Sequence, residues 1–361
     1  MKVSIVSLYG YFNYGNRLQS YAAQEILKQL GCEPKVIYIQ PFKDRLREIL
    51  KKVYFSKIVR SIVKPKAVLV NKYTRQRKFE KFNKEYILTK SYTSIKRIED
   101  ADYFILGSDQ VWNPKRYNDT KKELFLLTFT DSKKKVCLAP SFGLNDLPDN
   151  WKNYFADKLS SFPMLSVRET SGAEIIKKLT GRESEILIDP TLMLDREDWS
   201  RISQKPDKFT LNDGYILNYF LGNLPEDAKV NGINIQRDSG CVVYNLLDSS
   251  NADLYVSSPS EFLYLIEHAS LIQTDSFHAC VFSFLFSKPF LVYAREGADS
   301  DMFSRIETFL STFSLERKYV GSGIKNDTFE CNYSIGYETL QAERKKEIIF
   351  LRKSMHLMQM N

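Results

Sequence analysis

The sequence predicts an α/β protein in two parts, each built on a mainly parallel sheet. Three observations carry this reading. Short apolar runs of strand length alternate with longer segments of helical periodicity from the first residues onward. Turns rich in Gly, Asn, Ser and Asp follow the apolar runs, where open α/β sheets hold ligands. Between residues 193 and 213 the apolar pattern lapses, and alternation restarts with Tyr215–Phe220. The expected parts are therefore 1–193 and 194–334. A closing helical segment, 335–361, is long enough to return over the first part.

The opening run, Met1–Val6, reads as a buried strand and not as a signal peptide. The turn Tyr9–Asn16 leads into a helix with Leu18, Tyr21, Ala22, Ile26 and Leu30 on one side, and Lys35–Ile39 is the next strand. The Gly/Asn-rich turn sits where nucleotide-type folds place ligands, but it lacks G-x-G-x-x-G and implies no dinucleotide. Ala101–Leu106 is a buried strand that ends in the polar cluster Ser108, Asp109, Gln110, Trp112 and Asn113. Lys135–Ala139 follows, then Leu165–Val167, which delivers Arg168, and then Ile186–Ile188, which ends in Asp189.

In the second part, Ser260–Ala269 is a helix and Ser270–Thr274 a strand. Asp275 and Ser276 are N-cap types, so a helix begins near His278. An imidazole at a helix N-terminus lies where unpaired N–H groups favour an anion, or it is a packing residue only. Phe290–Tyr293 and a helix over 302–313 complete this part.

Composition narrows the function classes. With 43% hydrophobic residues, 24 Phe and 21 Tyr, the chain is not disordered. No apolar window approaches the ~18 residues of a spanning helix. Five scattered Cys without a C-x-x-C pair fit a reducing, cytoplasmic setting and no disulfide framework. The three His lie far apart, so no metal site is expected, and no Walker loop is present. Cys280 follows His278 by two residues and points away from it on a helix, which argues against Cys–His catalysis.

The net charge of +8 is uneven. Residues 41–100 hold 18 Lys and Arg against 6 Asp and Glu, a local +12, so the rest of the chain sums to −4. The tract 43–97 reads as a basic helical insertion. It is either a solvated surface or an amphipathic one that meets phosphorylated substrates or anionic headgroups at the inner face of a membrane. No nucleic-acid motif accompanies the charge.

Six ordered segments carry a resemblance: F-N-Y-G-N-R-L-Q-S-Y-A from Phe12, G-S-D-Q-V-W-N-P at 107–114, S-F-G at 141–143, S-V-R-E at 166–169, D-P-T-L at 189–192 and T-D-S-F-H-A at 274–279. Together they resemble the polysaccharide pyruvyltransferases. The resemblance implies a GT-B-like fold, two Rossmann-like domains facing across a cleft. It also implies phosphoenolpyruvate as donor and a sugar, often lipid-linked, as acceptor, with no further cofactor. His278 and Arg168 take the catalytic places, with Ser276 and Arg295 also at the donor. Asn13, Asn16, Ser108, Asp109, Gln110, Trp112 and Asn113 are expected on the acceptor side, Trp112 as a stacking face for a sugar ring. Where some members carry Lys, this chain has Ala298, which leaves Arg295 or Arg305 for that phosphate contact. Two rival readings are a nucleotide-sugar glycosyltransferase on the same architecture and a non-catalytic anion- or membrane-binding protein.

Overall fold

The computed structural model describes residues 1–357 apart from 11, 57–64, 208, 297–302 and 325–327. The first sheet contains β1 (Lys2–Val6), β2 (Glu33–Ile39), β3 (Thr89–Tyr92), β4 (Tyr103–Leu106) and β5 (Lys135–Cys137). They pair in the order β3-β2-β1-β4-β5, all parallel. That is the strand order of a Rossmann half, with its reversal between β1 and β4. β1 and β4 are covered on both faces, which explains their unbroken apolar runs.

A separate two-stranded piece pairs β6 (Ser166–Val167) with β7 (Glu185–Ile186). The second sheet holds β8 (Tyr215–Tyr219), β9 (Val242–Asn245), β10 (Leu271–Thr274) and β11 (Phe290–Val292). Its order is β11-β10-β8-β9, again all parallel, with the reversal between β8 and β10. Two Rossmann-like sheets in one chain make the GT-B-like fold. Among the described residues no helix is long and apolar enough to cross a membrane.

The two sheets share a core. One hydrophobic cluster runs from Ile5 and Leu18 to Phe262, Ile272 and Phe282. The helix Tyr14–Gln29 is the hinge pin of this packing: the Tyr14 ring stacks on Phe262 with centroids 4.4 Å apart, and its hydroxyl donates to the Ser257 carbonyl at 3.1 Å. Full burial of one such aromatic stabilises by about 1.5–3 kcal/mol.

Two expectations are corrected. The tract 43–97 is not one insertion, because it contains β3, an edge strand of the first sheet. Its sequence, TKSY, is half exposed and lacks an apolar run, so charge hid it. Before β3 come the helices Phe42–Tyr54 and Ala67–Tyr86, the second anchored in the core by Phe79 and Phe82. Ile58, Val59, Ile62 and Val63 lie outside the described residues. The stretch 193–213, where the apolar pattern lapses, holds the helix Arg196–Ile202, begun by a capping box of Asp195 and Asp198, with Trp199 fully buried. Finally, β6 does not extend the first sheet but pairs with β7 alone.

The closing helix, Ser334–Ser354, bridges the halves. Gly336 fits against Phe284 and the Phe313 carbonyl. Arg344 donates to the carbonyls of Leu192 and Leu194, both at 2.7 Å, and Phe350 packs with Ala139 and Leu187.

Candidate functional site

The strand-order reversals of the two sheets face one cavity of about 210 Å³. After β1 come Asn13 and Asn16, after β4 come Asp109 and Gln110, after β8 Leu221, and after β10 Ser276 and His278. Arg116, Arg295 and Arg305 close the ring of lining side chains. Carboxyl ends of parallel strands at a topological switch are where α/β sheets bind ligands, and here two such points are pooled.

Local chemistry fixes each wall. Asn13 caps the helix Tyr14–Gln29 by accepting from the Asn16 N–H at 3.4 Å, and Asn16 donates its amide to Asp109. Asp109 adopts φ +71°, a conformation uncommon for a side-chain-bearing residue and frequent at functional turns. Opposite, Asp275 accepts from the backbone N–H groups of Leu221 at 2.7 Å and Gly222 at 2.9 Å. The Arg295 Nε also donates to it, at 3.0 Å. The N-cap position of the helix Phe277–Leu285 is held by Ser276, whose N–H donates to Thr274 Oγ1 at 2.9 Å.

His278 is the second residue of that helix and is buried apart from its cavity face. Its imidazole lies flat on Gly15: a Cβ there would stand 2.0 Å from Nδ1. Gly15 is therefore a steric requirement of the F-N-Y-G-N segment, since any side chain would displace the ring. Among the described residues Nε2 has no hydrogen-bond partner, and it stands 3.7 Å from Asp189 Oδ2.

Beneath this floor lies a fully buried ionic cluster. Arg168 pairs with Asp189 and reaches Asp109 at 3.5 Å and Ser108 Oγ at 3.2 Å, while Phe277 covers its guanidinium with the ring centroid 4.6 Å away. Ser108 and the Thr191 hydroxyl both donate to Asp189, at 2.8 and 2.6 Å. Burial works against ionisation of Asp189, yet Arg168 and then His278 hold its carboxyl far below the ordinary range. Burial likewise opposes Asp109, which Arg168, His278, Arg305 and Arg116 keep below its usual value. Burial and the neighbouring Arg168 lower Arg305 to about 10.

The polysaccharide pyruvyl transferase family matches residues 13–297, a span that begins at the Asn13 cap and ends just past Arg295. The chain belongs to this family. No curated protein is significantly similar to it in sequence. Among solved structures it is similar to the UDP-GlcNAc 2-epimerase of Neisseria meningitidis bound to UDP-GlcNAc, at 12% identity and TM-score 0.45, over 98% of this chain and 100% of that one. It is also similar to the Anabaena protein HepE in complex with UDP and glucose, at 10% identity and TM-score 0.43, with the same coverage. Neither likeness bears on chemistry.

As a pyruvyl transferase family member, the chain places its expected residues unevenly. Asn13, Asn16, Asp109, Gln110, Ser276, His278 and Arg295 line the one cavity. Arg168 and Ser108 lie below it, so Arg168 does not present its fork to a ligand in the cavity but holds two carboxylates. Trp112 is fully buried, its Nε1 donating to the Phe125 carbonyl at 3.2 Å, and it offers no sugar-stacking face. Asn113 caps a short 3₁₀ turn by accepting from the Lys115 N–H. Both fail as acceptor residues because the turn after Gln110 dives into the core. Ala298 lies outside the described residues.

Two site residues carry no sign of their role in the sequence, Asp189 and Arg116. Asp189 stands in D-P-T-L at the end of a strand, but its partners lie 81 and 21 residues away at Ser108 and Arg168. Arg116 is an isolated letter with no local pattern, whereas Arg305, expected as an alternative phosphate contact, does line the cavity. Among the described residues no cluster suited to a metal ion occurs.

Proposed function

We propose that this family member transfers the pyruvyl group of phosphoenolpyruvate to two hydroxyls of one sugar, forming a cyclic ketal and releasing phosphate. One observation carries the reading: His278 sits in a small cavity ringed by Arg116, Arg295 and Arg305, with an ionised Asp189 behind its Nε2. Three guanidinium groups suit a donor that carries both a carboxylate and a phosphate.

The chemistry then runs through His278. A proton on the imidazole passes to the donor's methylene carbon, which becomes a methyl group. The adjacent carbon accepts a sugar oxygen, whose own proton returns to the imidazole. The second hydroxyl attacks the same carbon, the bond to the phosphate oxygen breaks, and phosphate leaves with the hydroxyl proton. Asp189 is a positioning residue for His278, and Arg168 keeps Asp189 and Asp109 ionised from below. In this reading the 1–193 half supplies the acceptor side through Asn13, Asn16, Asp109 and Gln110, and the 194–334 half supplies the donor side.

We further propose a lipid-linked acceptor, met at the cytoplasmic face of a membrane. The support is the helix Phe42–Tyr54, no residue of which is buried. Asp44, Arg47, Glu48 and Lys51 occupy its inward side and line a second cavity. Phe42, Leu46, Ile49, Leu50 and Val53 occupy the opposite side and are 51–76% exposed. Lys43, Arg45 and Lys52 flank that apolar stripe, the layout of a helix lying in an anionic bilayer surface.

The test incubates the protein with phosphoenolpyruvate and a panel of glycan precursors and follows phosphate release, with a nucleotide-sugar arm in parallel. His278→Gln should lower turnover by about 10²–10⁴-fold while donor affinity changes far less. Equal turnover by His278→Gln, or consumption of nucleotide-sugar alone, would overturn the assignment.

A further inference from the structure

The turn after β1 has two sides. Leu8 and Asn13 face the His278 cavity, whereas Tyr9 and Gly10 line a larger one, about 430 Å³, walled by the two helices of the basic tract. We propose that this second cavity is a saccharide subsite, which holds the part of the acceptor that does not react. The inference rests on the acceptor being a glycan, as proposed above, and adds where its remaining sugars lie.

Three features of the cavity specify the ligand class. Its floor is Arg17, fully buried, with one terminal nitrogen donating to the Leu8 carbonyl at 2.5 Å and Nε without a partner among the described residues. Asn83, on the same cavity, has a buried Oδ1 with no partner among the described residues. An orphaned donor and an orphaned acceptor in one cavity match hydroxyl groups, which both donate and accept. The walls are aromatic: Tyr9 and Tyr38 stack with centroids 3.6 Å apart, and the exposed Phe12 ring stands edge-on to the buried Phe79 at 5.9 Å. Such rings take the C–H faces of sugars as well as any flat apolar group.

Charge removes the competing ligand. Arg17, Arg47 and Lys51 face Asp44, Glu48 and Glu80, three cations against three anions. The balance is unlike the arginine-rich reaction cavity and gives no preference for a phosphate or a nucleoside diphosphate. A neutral, hydroxyl-rich ligand is what remains. Because the outer wall is the helix with the outward apolar stripe, a glycan leaving a bilayer would pass this subsite before it reached His278.

The test is retention of the intact protein on an array of immobilised neutral oligosaccharides, without phosphoenolpyruvate. Wild type and His278→Gln should bind the same glycans. Asn83→Leu, which removes the orphan acceptor at similar size, should weaken retention about tenfold, the scale of one hydrogen bond to a neutral group. Gln76→Trp, which fills the cavity from a half-exposed helix position, should abolish it. Thermal melts check that both variants fold. No retention by wild type, or equal retention by folded Asn83→Leu and Gln76→Trp, overturns the subsite even if pyruvyl transfer is found. Retention that depends on Asn83 with no turnover of phosphoenolpyruvate would keep the subsite and overturn the proposed reaction instead. Binding of UDP alone to this cavity, lost in Gln76→Trp, would also overturn the saccharide assignment.

Discussion

The ionic cluster under His278 and the helix Phe42–Tyr54 are both rich in charge and use it in opposite ways. Around Asp189 the charges are buried, few and mutually compensated, and they hold the floor of a cavity. On the helix every charge is at least partly solvated, and the apolar residues are the ones that face outward. A count of Lys and Arg finds the helix at once and misses the cluster, which contributes almost nothing to net charge. Buried charges speak about geometry, and exposed ones about what approaches the surface.

The largest effect should come from breaking the compensation. Asp189→Asn keeps the shape but leaves Arg168 buried beside a neutral amide, a change that costs roughly 3–5 kcal/mol. The matched change on the helix, Asp44→Asn, removes a half-exposed partner of Arg47 and should stay within about 0.5 kcal/mol. Urea unfolding of the two variants measures the contrast directly. Acid sharpens it. Asp189 and Asp109 have depressed carboxyls, so their stabilisation is present above the unfolded carboxylate value of about 3.9 and is lost as pH falls toward their folded values. Asp189→Asn should therefore flatten the acid limb, and Asp44→Asn should not.

Next in size is Gly15→Ala. Alanine favours a helix by about 1 kcal/mol over glycine, yet its Cβ would lie 2.0 Å from the His278 ring. The imidazole must swing away, and a misplaced catalytic group costs on the order of 10²-fold. Turnover should fall by that factor with little change in melting temperature. Normal turnover would mean that the position on Gly15 is not the working position of His278.

Glu347, in the closing helix, is the member of the buried region that lacks compensation. It is fully buried, both carboxylate oxygens lack a partner among the described residues, and burial followed by the neighbouring Asp189 raises its carboxyl well above the usual value, against Lys346. The sign is opposite to that of Asp189. The native state keeps a proton that the unfolded state loses above about pH 4.3, so stability falls with rising pH by about 1.4 kcal/mol per unit until Glu347 ionises. Glu347→Gln should remove that slope and raise stability at pH 7, as read by urea midpoints over a pH series.

What the sequence disclosed follows the same division. Strands buried on both faces, such as Ile5 to Val6 and Phe104 to Leu106, announce themselves, and so do the turns at their carboxyl ends. Asn13, Asp109 and His278 were legible because each follows such a strand. Trp112 was misplaced because periodicity cannot tell a turn that lines a cavity from one that returns to the core. Asp189 was undervalued because its role depends on Ser108, Arg168 and His278, all distant in sequence. β3 was lost because an edge strand needs no apolar run.

The smallest stability effect belongs to the exposed helix, and there the readout must be binding. Leu50 is 59% exposed, so Leu50→Asp should change unfolding by no more than about 0.5 kcal/mol. The same change puts a charge in the middle of the outward apolar stripe and adds a negative one between Lys43 and Lys52. Wild type should sediment with vesicles containing phosphatidylserine more than with phosphatidylcholine alone, and less as salt rises, since the screening length shrinks from about 30 Å at 0.01 M to about 8 Å at 0.15 M. Leu50→Asp should abolish that difference at every salt concentration. Equal binding of wild type to both vesicles, or a concentration-dependent dimer that Leu50→Asp dissolves, would assign the stripe to something other than an anionic bilayer. In the second case its occupant is another copy of the chain, and the contrast between buried and exposed charge would then describe an interface instead of a membrane-facing surface.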